Sequence, residues 1–369
     1  MKHFFCLICI IIMLSCITAC KNAQTETDDP AIMPESTVVS EPDVLITADP
    51  TESASESEKP AITDISEYEP AEIPEEYSAF ETILSVPVKW YSYNDLSANT
   101  ELEEELVYLE PVENMEIPHD SPEAFCITEN GEIVIADTAG ARLCVYDPAS
   151  SQLIRSVQIG DILDAAPIRV TEKDGVCYVL IPDYNTRIVT VYPDGTVFET
   201  AVPQIENDLS CSIISEFYVE NGNLILTLVG PGSIKTKAVS LADGSVTWLY
   251  STICGLSNGV FFVSREGMKW TFPSEPSSGL RSPRIDILKV DEQSNLYVVQ
   301  DVPVEGQEDY GLYQVFDKNG QLVSCDKINY FSDSYMSVEY GRIVGPDGNL
   351  YEMHCNEDNV TIMRLVDTD

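Results

Sequence analysis

A pair of residues that favours tight turns recurs along the sequence, and each copy is followed at once by a run of apolar residues. The pairs are Asn130-Gly131, Asp174-Gly175, Asn221-Gly222, Asn258-Gly259, Ser294-Asn295 and Asp347-Gly348. Asn-Gly and Asp-Gly are the strongest short-range signals of a hairpin turn. Successive copies lie roughly 36 to 53 residues apart, which is the spacing of four-stranded propeller blades. The repeat therefore predicts an all-β chain made of blades.

The six copies predict a six-bladed β-propeller. The second strand of each blade, here called strand b, is expected near 132–137, 176–181, 223–229, 260–264, 296–300 and 349–355. The fourth unit is the least regular, because it runs into the segment 273–283 (PSEPSSGLRSP). Prolines are excluded from central strands, so the outer strand of this unit is expected to be short or missing.

The sixth unit has apolar residues for only three strands before the sequence ends. A propeller has to close its ring, so we expect the missing strand to come from before the first blade. The segment 105–117 (ELVYLEPVENMEI) is the candidate. Such closure joins the two ends of the domain in one sheet and removes free edges that invite aggregation.

The first 19 residues are typical of a bacterial lipoprotein signal peptide. Lys2 and His3 give a short positive start, and 4–14 is an apolar stretch that is too short to span a bilayer as a helix. Ile17-Thr18-Ala19-Cys20 resembles the lipobox, in which the cysteine is diacylated and becomes the first residue. An ordinary secretory signal is the alternative. The prediction is a protein lipid-anchored at Cys20 on the extracytoplasmic face of a bacterial membrane, that is, at the cell surface.

The segment 20–78 has a different composition from the rest of the chain. It is rich in Asp, Glu, Pro, Ser and Thr, and its basic residues are Lys21 and Lys59. Such a segment cannot bury enough apolar surface to offset its chain entropy, so it is expected to be a disordered stalk that precedes the propeller at 79–369. The whole chain has a formal net charge of -42, which argues against nucleic acid and against direct docking on anionic lipid. Contact with the membrane is therefore predicted through the lipid anchor only.

The clearest unit, ENGEIVIADTAGARLCVYD at 129–147, is similar to the NHL repeat. Its matching residues are Gly131, Ala136-Asp137-Thr138, Arg142 and Asp147, and the second unit keeps Asp183 and Arg187. The resemblance covers two units and implies a divergent six-bladed propeller of the NHL and TolB-like kind. In that family the matching Asp and Arg mostly tie the loop between strands b and c, so Asp137, Arg142, Asp183 and Arg187 are expected to be structural.

The tight turns all lie on one rim of the predicted propeller, and the longer connections lie on the other, here called the long-connection rim. A ligand is expected on the long-connection rim, since loops held by a rigid scaffold carry most binding sites. The candidate residues are Tyr184, Tyr310, Tyr330, Tyr335, His119 and His354. Packing of each tyrosine within its own loop is the alternative.

Motifs for catalysis are not found in the sequence. It contains no HExxH, CxxC, phosphate-binding glycine loop or GxSxG, so no catalytic residue, metal ligand or cofactor is assigned. His119 and His354 with Glu352 or Asp120 could form a metal site, with surface histidines as the alternative. We expect a non-enzymatic protein that binds a protein, peptide or glycan, and a metal-dependent propeller hydrolase or lyase is the second possibility.

Of the eleven cysteines, Cys6, Cys9 and Cys16 lie in the expected signal peptide, and seven remain after its removal besides Cys20: Cys126, Cys144, Cys177, Cys211, Cys254, Cys325 and Cys355. An odd number cannot all pair within the chain. Cys126 and Cys144 are expected on strands a and c of one blade, beyond the reach of a disulfide. Most of the seven are predicted to be buried free thiols that pack as small hydrophobic residues.

Overall fold

The structure is a computed structural model that describes residues 74–98, 102, 104–110, 121–161, 167–182, 186–202, 205, 213–230, 233–257, 260–265, 268–273, 285–291, 293–302, 310–329 and 341–366. All of them lie in the compact unit Pro60–Asp369. The expected signal peptide, Cys20 and most of the expected stalk lie outside the described residues. None of the described helices is long and apolar enough to cross a membrane.

The described part of the chain is built almost entirely of strands. It begins with β1 (Phe80–Tyr91), α1 (Tyr93–Ala98) and β2 (Leu106–Leu109). The first blade follows with β3 (Ala124–Ile127), β4 (Ile133–Asp137), β5 (Arg142–Asp147) and β6 (Gln152–Gln158). The second blade contains β7 (Arg169–Lys173), β8 (Val176–Ile181), β9 (Arg187–Val191) and β10 (Val197–Ala201).

A run of six strands comes next: β11 (Ile213–Glu220), β12 (Asn223–Gly230), β13 (Ser233–Ser240), β14 (Val246–Ser257), β15 (Val260–Arg265) and β16 (Met268–Pro273). The following blade has β17 (Ile285–Val290), β18 (Leu296–Val302), β19 (Tyr310–Phe316) and β20 (Leu322–Asn329). The chain finishes with β21 (Arg342–Val344), β22 (Leu350–Cys355) and β23 (Asn359–Leu365). Each predicted strand b corresponds to an observed strand, namely β4, β8, β12, β15, β18 and β22.

The fold is an all-β propeller, but the described strands form five sheets, so the prediction of six blades is wrong. The third and fourth sequence units share one six-stranded blade, in the order β11-β12-β13-β14-β15-β16. The strand β14 is 12 residues long; 246–252 pairs with β13, and 253–257 pairs with β15. Its sequence, VTWLYSTICGLS, contains no proline or tight-turn pair, so the chain passes from one unit into the next without leaving the sheet.

An N-terminal strand closes the ring, as the sequence predicts, but it is not the expected segment 105–117. The closing blade has the order β2-β1-β23-β22-β21, in which β1 pairs antiparallel with β23. The expected segment contributes β2, which pairs parallel with β1 from Val88 onward. Pro87 argues against a central strand in the sequence. It is tolerated because its pairing with Asn359 is on one side only, and β2 begins beside the next residue.

The first strands of successive blades are neighbours, in the order β3, β7, β11, β17 and β21. Apolar clusters fill the spaces between blades, as where Val134 and Val145 of the first blade meet Val179 and Val189 of the second. The closing blade packs in the same way on the first blade through Met353 and other apolar side chains. The blades are therefore held together by apolar packing between their faces.

Candidate functional site

Two of the six predicted rim residues, Tyr310 and His354, fall within the described residues. Tyr184, Tyr330, Tyr335 and His119 lie outside them. The predicted ligand rim can therefore be followed at two places, one on the closing blade and one on the blade of β17 to β20.

His354 belongs to a group of three ionisable side chains on the closing blade, here called the seam cluster (Arg342, Glu352 and His354). Alternation along β22 places Glu352 and His354 on one face, whereas Tyr351, Met353 and Cys355 on the other face pack toward the first blade. Arg342 lies directly opposite Glu352 in the neighbouring strand β21. The register therefore brings the three side chains onto one face of the sheet.

The carboxylate of Glu352 is held from both sides. Arg342 Nε donates to Glu352 Oε1 over 2.6 Å, and His354 Nε2 lies 3.2 Å from Glu352 Oε2. The Glu352 side chain is 3% exposed, whereas those of Arg342 and His354 are 22% and 18% exposed. Burial of a carboxylate is costly unless charged or hydrogen-bonding partners compensate it, and both partners are present. The partly exposed side chains of Arg342 and His354 are the part of the cluster that a ligand can reach.

Tyr310 is engaged in a different contact. The Lys327 ammonium lies 4.7 Å from the centre of the Tyr310 ring and 4.5 Å from the centre of the Tyr77 ring. Ser78 N donates to the Lys327 carbonyl over 2.8 Å, and Ser78 Oγ donates to Asp326 over 2.9 Å. These five residues, here called the entry clamp, fix the chain to the edge of β20 just before it enters β1. Tyr310 thus makes a packing contact of the kind that the sequence left as the alternative to ligand binding.

The structure does not bring Tyr310 and His354 onto one surface. Val299 and Tyr313 share the face of their blade that packs against the closing blade. Tyr310 and Leu312 belong to the opposite alternation of β19, so they lie on the face turned away from His354. Among the described residues the predicted rim is therefore two separate places rather than one pocket.

Asp137 and Arg142, which the NHL-like pattern marks as structural, form a closed network at the end of strands β4 and β5. Arg142 Nε donates to Asp137 Oδ2 over 2.7 Å, and the backbone N–H of Val107 donates to Asp137 Oδ1 over 3.2 Å. Arg142 Nη2 also donates to the Glu105 carbonyl over 2.5 Å. Burial raises the pKa of the Asp137 carboxyl, while Arg142 and the hydrogen bonds from Val107 and Gly140 oppose the rise. The pair fastens β2 to the first blade.

The sequence did not lead us to expect that the N-terminal segment packs over this network. Tyr91, Leu96, Val107 and Leu109 form a buried cluster with Ala139 of the loop between β4 and β5. The helix α1 begins after Ser92, whose Oγ accepts from the backbone N–H of Asp95. A signal was present in the alternating sequence FETILSVPVKWY of β1, but Pro87 and the nearby acidic stalk obscured it.

Metal-ligating side chains do not gather in the described residues: no group of three or more His, Cys, Asp or Glu is placed to hold a metal ion there. His119 and Asp120, two of the ligands considered with His354 and Glu352, lie outside these residues. Pro122, which follows them closely in the sequence, lies against the opposite face of β22, since the Cys355 thiol lies 3.8 Å from the Pro122 carbonyl oxygen.

No protein-family model matches the chain, and no curated protein matches its sequence. Several solved structures are similar in fold. A streptogramin B lyase is 13% identical over 69% of this chain and 96% of that chain, with a TM-score of 0.40. A hydrazine synthase from Kuenenia stuttgartiensis is 12% identical over 66% of this chain and 76% of that chain, with a TM-score of 0.41. A virginiamycin B lyase from Staphylococcus aureus is 14% identical over 68% and 83%, with a TM-score of 0.37. The likeness to these proteins is one of β-propeller fold and bears on nothing else.

Proposed function

We propose that the protein is a surface-anchored bacterial lipoprotein whose propeller binds a protein, peptide or glycan without catalysing a reaction. Acyl chains on Cys20 hold it on the extracytoplasmic face of the membrane, and the acidic segment 20–78 is the spacer between membrane and propeller. Two acyl chains suffice for stable anchoring. The propeller is a divergent relative of the NHL and TolB-like kind.

The observation that supports binding over catalysis concerns Asp137 and Arg142, which lie at the end of strand b and the start of strand c in the first blade. Both oxygens of Asp137 accept hydrogen bonds from the chain itself, and Arg142 donates to Asp137 and to a backbone carbonyl. A general acid, general base or nucleophile needs contact with its substrate. Asp137 and Arg142 are 0% and 3% exposed, so they serve the fold and have no access to a ligand.

The seam cluster is the part of the long-connection rim that we assign to ligand contact. Its guanidinium and imidazole are partly exposed and contact the buried Glu352 carboxylate. Guanidinium and imidazole groups held in one orientation suit the carbonyl oxygens of a peptide or the hydroxyl and carbonyl oxygens of a glycan.

A metal-dependent hydrolase or lyase is the second candidate, and one observation favours it. A histidine and a carboxylate in contact, as in His354 and Glu352, are ligand types that catalytic zinc sites use. His119 would be the next ligand to examine. This candidate requires a bound divalent cation and turnover, whereas the first requires neither.

Binding is tested on the full chain with Cys20→Ser, which removes the acylated residue and keeps every other part of the protein. Arrays of immobilised peptidoglycan fragments, neutral oligosaccharides and random dodecapeptides serve as probes. We expect saturable binding to one class, reduced about tenfold or more in His354→Ala, a loss of about 1.4 kcal/mol. Tyr192→Ala is the matched control, because Tyr192 is an exposed aromatic residue beside a tight turn. Equal loss in both variants, or no binding by any class, would contradict the assignment.

The second candidate is tested on the same protein after dialysis against Zn²⁺, Mn²⁺ or Mg²⁺. Stoichiometric retention of one of these ions, together with hydrolysis of lactone or ester substrates that His354→Gln abolishes, would replace the binding proposal.

The anchor is tested separately by fractionation of cells: the natural chain is expected in the membrane fraction with a diacylated Cys20 in mass spectra, and Cys20→Ser in the soluble fraction.

A further inference from the structure

Two cysteines face each other across the space between the first and second blades. Cys126 lies on β3 and Cys177 on β8, and both belong to the apolar cluster that joins these blades. Their exposed fractions are 7% and 1%. In the strand register Cys126 lies opposite Val134 and Cys177 lies opposite Val191, and both valines belong to the same cluster. The two thiols therefore point into one interface from opposite sides.

The chain segments next to the two thiols are also in contact at that interface. Glu129, just beyond β3, has its backbone N–H 3.0 Å from Glu172 Oε2, and its carboxylate lies 2.6 Å from Lys173 Nζ. Glu172 is the direct register partner of Cys177. Burial raises the pKa of the Cys126 thiol well above its usual value, and the neighbouring Cys177 raises it further.

The other buried cysteines differ in this respect. Cys144 Sγ lies 3.8 Å from Ser156 Oγ, and Cys355 Sγ lies 3.8 Å from the Pro122 carbonyl oxygen. These two thiols share an apolar cluster, but the pKa of Cys144 is raised by burial and by Asp137 rather than by Cys355. In the pair Cys126 and Cys177, by contrast, one thiol raises the pKa of the other.

We propose that Cys126 and Cys177 are a site of disulfide formation that ties the first blade to the second when the chain folds in an oxidising compartment. The need for such a compartment rests on the export proposed above, whereas the pairing itself rests on the blade interface. Disulfides join facing sheets in this manner in immunoglobulin domains. In the structure both residues are free thiols, which is the reduced form of the site.

The oxidation is a thiol–disulfide exchange with a disulfide-bearing folding catalyst or oxidised glutathione. The exchange takes place while the chain folds, before the two blades bury both thiols, with Cys177 as the first nucleophile. The Cys177 thiolate attacks the disulfide of the oxidant, forms a mixed disulfide and releases one thiol. The thiolate of Cys126 then attacks the Cys177 sulfur and releases the second thiol. Two protons leave the protein thiols, and two electrons reduce the oxidant's disulfide.

Peptide mapping of the full chain with Cys20→Ser, refolded with oxidised and reduced glutathione, tests the pairing directly. Without reduction, trypsin yields peptides 90–142 and 174–187, each containing one cysteine, and peptide 143–155 with Cys144. We expect 90–142 and 174–187 to be joined. Alkylation of both as free thiols, or a link from either to another peptide, would overturn the proposal. Because the oxidant is supplied, the outcome does not depend on where the protein resides in the cell.

A stability measurement gives a second readout. The disulfide closes a loop of about 50 residues, so oxidation is expected to raise the thermal midpoint by about 5 °C. The rise is expected to vanish in Cys177→Ser and to persist in the control Cys325→Ser, whose thiol lies on another blade. An equal midpoint for oxidised and reduced natural sequence would count against the bond.

Discussion

Two groups of charged side chains lie near the ends of strand b in adjacent blades, and they differ in what surrounds them. In the first blade, Asp137 and Arg142 are 0% and 3% exposed, and they also bind backbone groups of the N-terminal segment. In the closing blade, Glu352 is equally buried, but Arg342 and His354 keep 22% and 18% of their side chains exposed. The chemistry is similar, and access to solvent separates a structural pair from a candidate site.

The difference follows from what covers each blade. The segment of α1 and β2 lies over the loop between β4 and β5, and it supplies Val107 and Glu105 as partners. The loop between β22 and β23 is a tight turn, in which Asn356 Oδ1 accepts from the backbone N–H groups of Asp358 and Asn359. An acid–base pair can therefore be judged structural when a second chain segment uses its remaining hydrogen-bonding capacity.

Asp137→Asn should have the largest effect, because it leaves the buried Arg142 without its counter-charge. Loss of one partner of a buried pair costs about 3–5 kcal/mol of unfolding free energy. Urea unfolding of the reduced protein measures it. The control is Glu129→Gln, which removes an ion pair to Lys173 whose side chains are 49% and 46% exposed and should cost at most about 1 kcal/mol. Equal losses in the two variants would refute the contrast between buried and exposed pairs.

Gly140→Ala should have the next largest effect, on the same network. A Cβ atom at this position would lie 2.7 Å from Asp137 Oδ2 and 3.0 Å from Leu102 Cδ1. The Asp137 side chain and the covering segment would both have to move, at a cost of about 1–3 kcal/mol. The same unfolding measurement applies, and the loss should be smaller in Gly140→Ala combined with Asp137→Asn than the sum of the single losses.

Glu352→Gln tests the seam cluster, the partly exposed group of the two. Its partners can bind water when the charge is lost, so we expect a cost of about 1–2 kcal/mol, below that of Asp137→Asn. Ligand binding should weaken as well, because the guanidinium and imidazole lose the group that orients them. A variant that is as unstable as Asp137→Asn and binds normally would reverse the assignments of the two groups.

The smallest effect concerns two turns whose carboxylates, Asp147 and Asp317, are partly exposed. A hydrogen bond from Ser150 Oγ holds the pKa of Asp147 below its usual value, and the backbone N–H of Gln321 does the same for Asp317. These lowered values add stability above the unfolded-state pKa, and that contribution is lost as the pH falls through the folded-state values. Asp147→Asn with Asp317→Asn should flatten the fall in stability measured by urea unfolding between about pH 4 and pH 2. An unchanged slope would contradict it.

Much of the fold could be predicted because tight turns and apolar runs are local signals. Each strand b was located from an Asn-Gly, Asp-Gly or similar pair, and the left-handed φ of 83° at Gly131 and 82° at Gly348 shows why those pairs are needed. The blade count could not be obtained in the same way. Whether β14 turns or continues depends on pairing with β13 and β15 together, and no single residue in it marks a break.

The candidate site was less predictable, because it depends on which face each strand turns toward a neighbour. The structural role of Asp137 and Arg142 agrees with the NHL-like pattern, which carries that information in its spacing. His354 and Glu352 could be placed on one strand face from alternation, but their partner Arg342 comes from another strand and only the register reveals it. Tyr310 appeared exposed in the sequence, and its contact with Lys327 depends on the register between β19 and β20.

The closing blade also sets an order of events during synthesis. The strand β1 is among the first parts of the propeller to be made, yet Phe80 pairs with Leu365, almost at the end of the chain. Contacts so distant in sequence form slowly, and an apolar strand that waits for its partner is prone to wrong pairing. A chain truncated before β23 would hold β1 as an unpaired edge, so synthesis that stops early should yield aggregates rather than a smaller propeller.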